Sequence, residues 1–326
     1  MVIHWWTVLR FPEPIFGDQP VRLQGALPRS AGKPARKAGE ILDRARLRGL
    51  RIFAMRLIAH RSFSIGLALF SVIAIFAIFA DLIAPSAPNK SDYPAIMMPP
   101  DAEHRFGTDP FGRDILSRVI YGARASLRIG LLVVIATGIF GIIIGVASAY
   151  VRALDNVLMR VMDGLMAFPG VLLAIALAAA LGPSELNAVL ALTVTFTPRT
   201  ARIVRASVLV VRELPYVESA VAIGAGHMRI ITRYILANSL SPLIVQLTFV
   251  FAVSILAEAI LSFLGVGPPP PAPSLGNIIA EGRNYVQEAP WIAFFPGMVI
   301  AASVLGLNLM GDGLRDVLDP RLRGIS

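Results

Sequence analysis

Three acidic residues lie in or beside long apolar stretches of the sequence: Asp81, Asp163 and Glu258. Placing a carboxylate at the centre of a membrane helix costs roughly 2.5 to 3.5 kcal/mol, so such groups are candidates for function. Each could carry a proton, as in secondary transporters. Glu258 could instead contact an amine or a metal cation on a translocation path, or bond to a neighbouring helix. The sequence leaves these alternatives open.

Other site chemistry is disfavoured by residue counts and spacing. The chain has no cysteine, which excludes disulfides, thiolate zinc sites and cysteine nucleophiles. Its four histidines show no metal-ligand spacing, none lies in a long apolar run, and no GxSxG occurs, so a membrane hydrolase is not favoured. None of the three lysines follows the GxxxxG spacing of a phosphate-binding loop. We therefore expect this chain to have no catalytic residue, no metal and no bound cofactor.

Composition indicates a membrane protein. Of 326 residues, 56% are hydrophobic and only 16% are charged, against roughly 25% charged in soluble domains. The formal charge is +9, but residues 1–61 hold twelve basic and four acidic side chains, which is most of that excess. The position of this charge therefore indicates the orientation of the chain in the membrane and does not indicate a nucleic-acid partner.

Six apolar runs predict an all-α integral membrane protein with six transmembrane helices, because a bilayer core of roughly 30 Å needs about 20 apolar residues per span. The fourth run is short and ends where arginines begin at three-residue spacing, so we expect its helix to continue into the cytosol. Pro169 can kink the third span. The predicted spans are about 62–84, 127–151, 161–183, 186–211, 238–264 and 289–311.

Basic residues near the spans fix the expected orientation, since short loops rich in Lys and Arg stay in the cytoplasm. The N-terminus and, after six spans, the C-terminus are then cytoplasmic. Residues 85–126 form an outer loop and residues 212–237 a cytoplasmic loop. Residues 1–61 read as a basic, partly disordered tail near anionic lipid, and 62–326 as the membrane domain. A later translation start at Met55 remains an alternative for the tail.

The cytoplasmic loop predicts two short helices joined by a glycine turn. It reads RELPYVESAVAIGAGHMRIITRYILAN from Arg212. Pro215 suits a first helical turn, where Glu218 meets the positive end of the helix dipole. Gly224 and Gly226 then end that helix before the next begins. The pattern alone leaves open whether the apolar side chains of this loop dock on a protein or lie on lipid. These side chains are Val217, Ala220, Val221 and Ile223.

This loop resembles the EAA motif of the permease subunits of ATP-binding-cassette importers, the segment that docks into the ATPase subunit. The resemblance rests on 218–220, reading ESA, on Gly226 and on the pair 235–236, reading IL. The loop departs from that motif at Ser219, where the family has Ala, and at Ala237, where Pro is common.

Three more stretches narrow the resemblance to the C-type permeases of dipeptide, oligopeptide and nickel importers. They are 106–127, reading FGTDPFGRDILSRVIYGARASL, then 258–267, reading EAILSFLGVG, and the tail from Gly311, reading GDGLRDVLDPRLRG. Together the similar segments span about 62–324.

The resemblance implies a type I importer permease fold and a multi-pass location in the bacterial cytoplasmic membrane. It implies four kinds of partner: a second homologous permease, two ATPase subunits that bind ATP and Mg, an external substrate-binding protein, and membrane lipid. In the docking loop, Glu218 would anchor the first helix and Gly226 would set the turn. The residues expected to form the docking loop are Tyr216, Glu218, Ser219, Ala220, Gly224, Gly226, Arg229 and Arg233.

In the outer loop, Asp114 and Arg118 stand at i,i+4 in the favourable order for an ion pair. Residues 115–120 predict an amphipathic helix that lies on the outer membrane surface. Asp109, Arg113 and Asp114 are candidates to face the binding protein, the alternative being a purely structural role.

The expected function is ATP-driven import of di- or oligopeptides, or of a related solute such as a nickel chelate. The alternative is a proton-coupled secondary transporter that uses Asp81, Asp163 or Glu258 and needs no ATPase. Copurification of an ATPase separates the two.

Overall fold

The computed structural model describes residue 51 and residues 53–318. Residues 53–318 belong to one compact unit. The predicted basic tail falls outside the described residues as far as position 50, and so do the last eight positions of the chain.

The described residues form helices and loops without any β-strand, which confirms the all-α prediction for this part of the chain. Residues 53–59 are also helical. The helices are α1 (Arg61–Ile78), α2 (Ala80–Ile83), α3 (Ile115–Tyr150), α4 (Arg152–Met166), α5 (Gly170–Leu181), α6 (Glu185–Arg212), α7 (Pro215–Ala222), α8 (His227–Phe263), α9 (Leu275–Gly282) and α10 (Trp291–Leu318).

Four of these helices, α1, α3, α8 and α10, are long and apolar enough to cross a membrane, and α4 with α5 adds a fifth if the bent pair counts as one span. Helix α6 has 28 residues and is therefore about 42 Å long, but its arginines lower its hydropathy. By length and composition the described residues thus provide four or five spans.

The predicted third span is broken. Helices α4 and α5 meet at an angle of 93°, with Pro169 as the residue before α5. Proline disfavours helical geometry in the residue before it, here Phe168, and lacks an N–H group for the helix. The sequence predicts a kink of the third span at Pro169, and the structure has a sharp break at this position. Proline marks the break in the sequence, but the right angle depends on how α4 is held by its neighbours.

Glycines bring α3 and α6 into close contact. A Cβ atom placed on Gly141 would lie 2.6 Å from the Thr200 side chain, and one on Gly145 would lie 2.7 Å from the Ala201 carbonyl oxygen. Real Cβ atoms do not approach so closely, and small residues allow such packing in membrane helices. The GxxxG spacing at these two glycines therefore marks a helix contact.

The helices run alternately between two ends of the bundle. At one end, loop 84–114 lies against the start of α10, where the Trp291 indole Nε1 donates to the Thr108 carbonyl at 3.1 Å. At the other end lies segment 212–237, where the Arg212 guanidinium donates to the Ala149 carbonyl at 2.8 Å. The two candidate functional regions are thus at opposite ends of the bundle.

Candidate coupling site and buried ion pairs

Helix α7 is seated on the bundle by two side chains. Pro215 occupies its first turn, as the sequence predicts. Val217 and Ala220, three positions apart and therefore on one face, are each only 3% exposed. They lie at a cluster of apolar residues at this end of α3, α6 and α8. The buried members of this cluster, which we call the coupling core, are Ala149, Val204, Val208, Val211, Val217, Ile230, Ile235 and Leu243.

A glycine turn ends α7. Gly224 has φ of +81°, its N–H donates to the Val221 carbonyl at 2.9 Å, and the Ala225 N–H donates to the Ala220 carbonyl at 3.0 Å. These two bonds form the Schellman motif that closes helices with a left-handed residue. Gly226 has φ of −65° and caps α8 in an extended conformation. The left-handed turn therefore depends on Gly224, and our expectation that Gly226 sets it is wrong.

The second arm of the segment also rests on the coupling core. Helix α8 opens with a π-helical stretch, Ile230–Leu236, in which Ile230 and Ile235 are 3% and 0% exposed. π-Helical turns are rare and occur frequently at functional sites. Both arms of segment 212–237 are thus fixed by apolar contacts to the same residues of α3 and α6.

The rest of the segment faces outward. Ile223 is 82% exposed and Met228 72% exposed, and Tyr216 and Val221 are also exposed. Of the eight residues predicted for docking, only Ala220 is buried. It packs inward and seats the helix instead of presenting a surface.

Charged side chains border this apolar surface. Glu218, Arg229 and Arg233 are exposed, and none forms an ion pair with another described residue. Glu218 stands in the first turn of α7, where a carboxylate interacts favourably with the positive end of the helix dipole. Ser219 is satisfied internally, since its hydroxyl donates to the Pro215 carbonyl at 2.8 Å. The exposed surface of segment 212–237 accordingly combines apolar and charged side chains.

At the opposite end, a buried carboxylate organises loop 84–114. Asp109 is fully buried; its Oδ1 accepts from the backbone N–H groups of Phe111 and Arg113 at 2.8 and 2.9 Å. Its Oδ2 accepts from Arg113 Nε at 2.6 Å and from Arg118 Nη1 at 2.5 Å. Two guanidinium groups and two amides thus compensate one buried charge.

Glu281 of α9 completes this ion-pair cluster. It accepts from Arg113 Nη2 at 2.6 Å and from Arg118. The predicted pair between Asp114 and Arg118 is wrong. Asp114 instead caps α3, where its Oδ2 accepts from Ser117 N at 2.8 Å. The cluster ties the loop to α3 and α9.

The candidates for contact with an external partner do not face outward. Asp109, Arg113 and Asp114 are 0%, 8% and 4% exposed. They stabilise the conformation of the loop. Arg113 does so partly through Glu281, which is distant in sequence. Residues 115–120 also differ from the predicted surface helix, because Ile115 is fully buried as the first residue of α3. It packs with Leu275, Ile278 and Ile292 of α9 and α10.

Glu258 bonds to two serines inside the bundle. It is fully buried in α8, its Oε2 accepts from Ser126 Oγ of α3 at 2.5 Å, and its Oε1 accepts from Ser262 Oγ at 2.7 Å. This geometry favours helix pairing over a place on a translocation path.

Asp81 and Asp163 each pair with an arginine. Asp81 accepts from Arg124 Nη2 at 3.0 Å and from the Tyr121 hydroxyl at 2.8 Å. Asp163 accepts from Arg202 Nη2 at 2.5 Å. Among the residues described here, no group of three or more His, Asp or Glu is placed to hold a metal ion.

Comparison with known families assigns the chain to a protein family. Residues 138–324 match the family profile described as binding-protein-dependent transport system inner membrane component. Residues 50–100 match the N-terminal transmembrane domain of oligopeptide transport permease C. The chain belongs to this permease family. It is a multi-pass inner membrane component of a binding-protein-dependent system, and the proton-coupled alternative is not supported.

Curated relatives of the permease are similar over most of its length. A peptide transport system permease protein of Brucella abortus is 56% identical over 270 residues, which is 83% of this chain and 91% of the relative. Dipeptide transport system permease proteins of Alkalihalophilus pseudofirmus and Haemophilus influenzae are 44% and 41% identical. These alignments cover 79% and 81% of this chain, and 86% and 92% of the respective relatives.

Among solved structures, an inward-facing methionine ABC transporter aligns with a TM-score of 0.49 at 20% identity, over 63% of this permease and 98% of that chain. An amino acid ABC transporter with histidines aligns with a TM-score of 0.48 at 19% identity, over 64% of the permease and 95% of that chain.

Proposed function

We propose that this permease is one of two homologous membrane subunits of an ATP-driven importer that carries di- or oligopeptides across the bacterial cytoplasmic membrane. The names of its relatives support peptides as the substrate class, and a small solute such as a nickel chelate is the second candidate. The observation that carries the proposal is the surface of segment 212–237, which exposes apolar and charged side chains while its buried residues pack in the coupling core.

In this proposal segment 212–237 docks into an ATPase subunit, where ATP and Mg are bound. The exposed Tyr216, Val221 and Ile223 provide apolar contact area, and Glu218 and Arg229 provide charged contacts at the edge. A movement of the docked ATPase is transmitted to the membrane helices, because well-packed protein interiors are nearly incompressible. Val217 and Ala220 would press on the coupling core and so displace α3 and α6.

The same proposal includes six spans with both termini in the cytoplasm. Helix α6 supplies one span, since 28 helical residues exceed the roughly 20 that are needed, and the broken pair α4 and α5 supplies another. The basic excess in residues 1–61 favours a cytoplasmic N-terminus. Segment 212–237 then lies on the ATP side and loop 84–114 faces the external binding protein.

The test combines docking and transport. In the complete transporter, Glu218→Ala and Ile223→Asp should reduce copurification of the ATPase subunit and abolish uptake of radiolabelled alanyl-alanine, because both change the exposed surface. The amount of permease in the membrane should not change, since neither side chain is buried. Glu288→Ala is the matched control and should leave copurification unchanged, because Glu288 is an exposed glutamate outside segment 212–237, between α9 and α10.

Normal uptake and normal copurification by both variants would contradict docking through this surface. Wild-type uptake that survives ATP depletion but collapses with the proton gradient would contradict the ATP-driven importer as a whole.

A further inference from the structure

Two adjoining cavities open between α6, α8 and α10, with volumes of about 650 and 540 Å³. Both are lined by Arg199, Gln246, Phe249 and Arg315, and the smaller also reaches Phe168 at the bend between α4 and α5. Such volumes are within the roughly 300 to 1,000 Å³ of sites that bind small molecules. The shared lining places two guanidinium groups at the junction of the two cavities.

Arg199 differs from its two neighbours on α6. Arg202 donates to Asp163, and Arg205 donates from both Nε and Nη2 to Asp155 at 2.6 Å, so these two arginines bind α4. Arg199 has no such partner within residues 53–318 and follows an uncharged stretch of the helix. Arg199 is itself exposed and lines both cavities without a described counter-ion, which marks it as a candidate functional group.

The remaining lining suits a small anion that also carries amide groups. No acidic residue among those described lines either cavity, so the field of the two arginines is not cancelled locally. Gln246 and Asn238 offer amide donors and acceptors, and Phe249 offers an apolar face. Arginine is the preferred partner of carboxylates, which it can bind with two parallel hydrogen bonds.

We propose that Arg199 and Arg315 hold the C-terminal carboxylate of a peptide in transit through these cavities. This inference rests on the proposed function and adds a binding site to it. Gln246 and Asn238 hydrogen-bond the peptide amides, and Phe249 contacts its side chains. A lipid phosphate could also meet two arginines, but it has no amide for these groups to bind. Binding must be weak enough for release, so two exposed arginines are better suited than a closed site.

The first experiment measures charge selectivity in the cavity. Because the chain has no cysteine, Ser241→Cys introduces a single reporter thiol in the lining. In the complete transporter in proteoliposomes, we compare the rates at which an anionic and a cationic methanethiosulfonate label this chain. The ratio of the anionic rate to the cationic rate should fall roughly tenfold after Arg199→Gln and Arg315→Gln. Arg160→Gln is the matched control, because Arg160 is exposed on α4 and does not line either cavity.

The second experiment identifies the anion. Alanyl-alanine should slow the labelling, whereas alanyl-alaninamide, which lacks the carboxylate, should not. Arg199→Gln should raise the KM for alanyl-alanine uptake roughly tenfold, as expected for the loss of one charged hydrogen bond.

Three outcomes would overturn the proposal, and each has a different meaning. Labelling without charge preference contradicts an arginine site of any kind. Protection by phosphatidylglycerol but not by alanyl-alanine assigns the arginines to a lipid headgroup. A wild-type transporter that labels with anion preference but takes up no alanyl-alanine contradicts the proposed function, and the peptide assignment with it.

Discussion

At the scale of single residues, Glu258 shows how a buried carboxylate can join two membrane helices. Its two oxygens each accept from a serine hydroxyl, one on α3 and one on its own helix. Polar side chains that bond across helices stabilise packing in a membrane, where the alternative is an unsatisfied polar group. The residue is therefore explained by its bonds within the permease, without a substrate contact.

Glu258→Gln should retain both stability and uptake, because an amide can still bond to Ser126 and Ser262. Glu258→Ala should lower the stability by about 2 kcal/mol, since it removes both bonds and leaves a void. Thermal unfolding of the purified transporter, followed with uptake, measures both effects. A stable Glu258→Gln transporter that has lost uptake would contradict a purely structural role and would indicate that Glu258 lies on the translocation path.

At the scale of elements, two glycines of segment 212–237 look equivalent in the sequence but differ in backbone conformation. Gly224 has a positive φ, which an L-residue adopts only with strain. Gly226 has an ordinary φ, and a Cβ atom there would meet no atom of the chain within 4 Å. The fold therefore requires glycine at 224 and leaves position 226 free of any such requirement.

Gly224→Ala should cost about 1 kcal/mol of stability through the left-handed backbone. Gly226→Ala should leave stability unchanged and weaken ATPase docking, because the added methyl group points away from the chain into the proposed interface. Thermal unfolding and ATPase copurification, measured side by side, distinguish the two effects. Equal loss of stability in both variants would contradict this division of roles.

At the scale of the whole molecule, the proposed orientation can be read from single cysteines. Tyr93 in loop 84–114 is 77% exposed, and Glu213 beside α7 is also exposed. In intact spheroplasts, a membrane-impermeant maleimide should label Tyr93→Cys, and it should label Glu213→Cys only after permeabilisation. The unmodified chain is the control, since it has no cysteine. Labelling of Glu213→Cys in intact spheroplasts would reverse the orientation.

Much of the helical framework follows from local sequence. The predicted spans 62–84, 127–151 and 289–311 overlap α1, α3 and α10, because a run of about 20 apolar residues is a local feature of the sequence, although α3 begins earlier, at Ile115. The start of α7 at Pro215 and its end at the Gly224 turn also follow from proline and glycine, whose backbone preferences are local, but the second predicted short helix is the start of the long α8.

Contacts between distant residues could not be predicted in this way. Arg118 pairs with Glu281, which is 163 positions away, so the local spacing to Asp114 was misleading. The burial of Ile115 depends on α9 and α10, which the sequence of α3 does not contain. Likewise, three evenly spaced arginines on α6 give no sign that two bind α4 and the third lines a cavity.

The right-angle break before α5 imposes a demand on the lipid. With 12 residues, α5 is only about 18 Å long, well short of the roughly 30 Å hydrocarbon core. A segment of this length creates hydrophobic mismatch, which is relieved when the bilayer thins locally or when other protein covers the ends. We therefore expect transport to depend on acyl-chain length, which uptake into proteoliposomes of lipids with shorter and longer chains would measure.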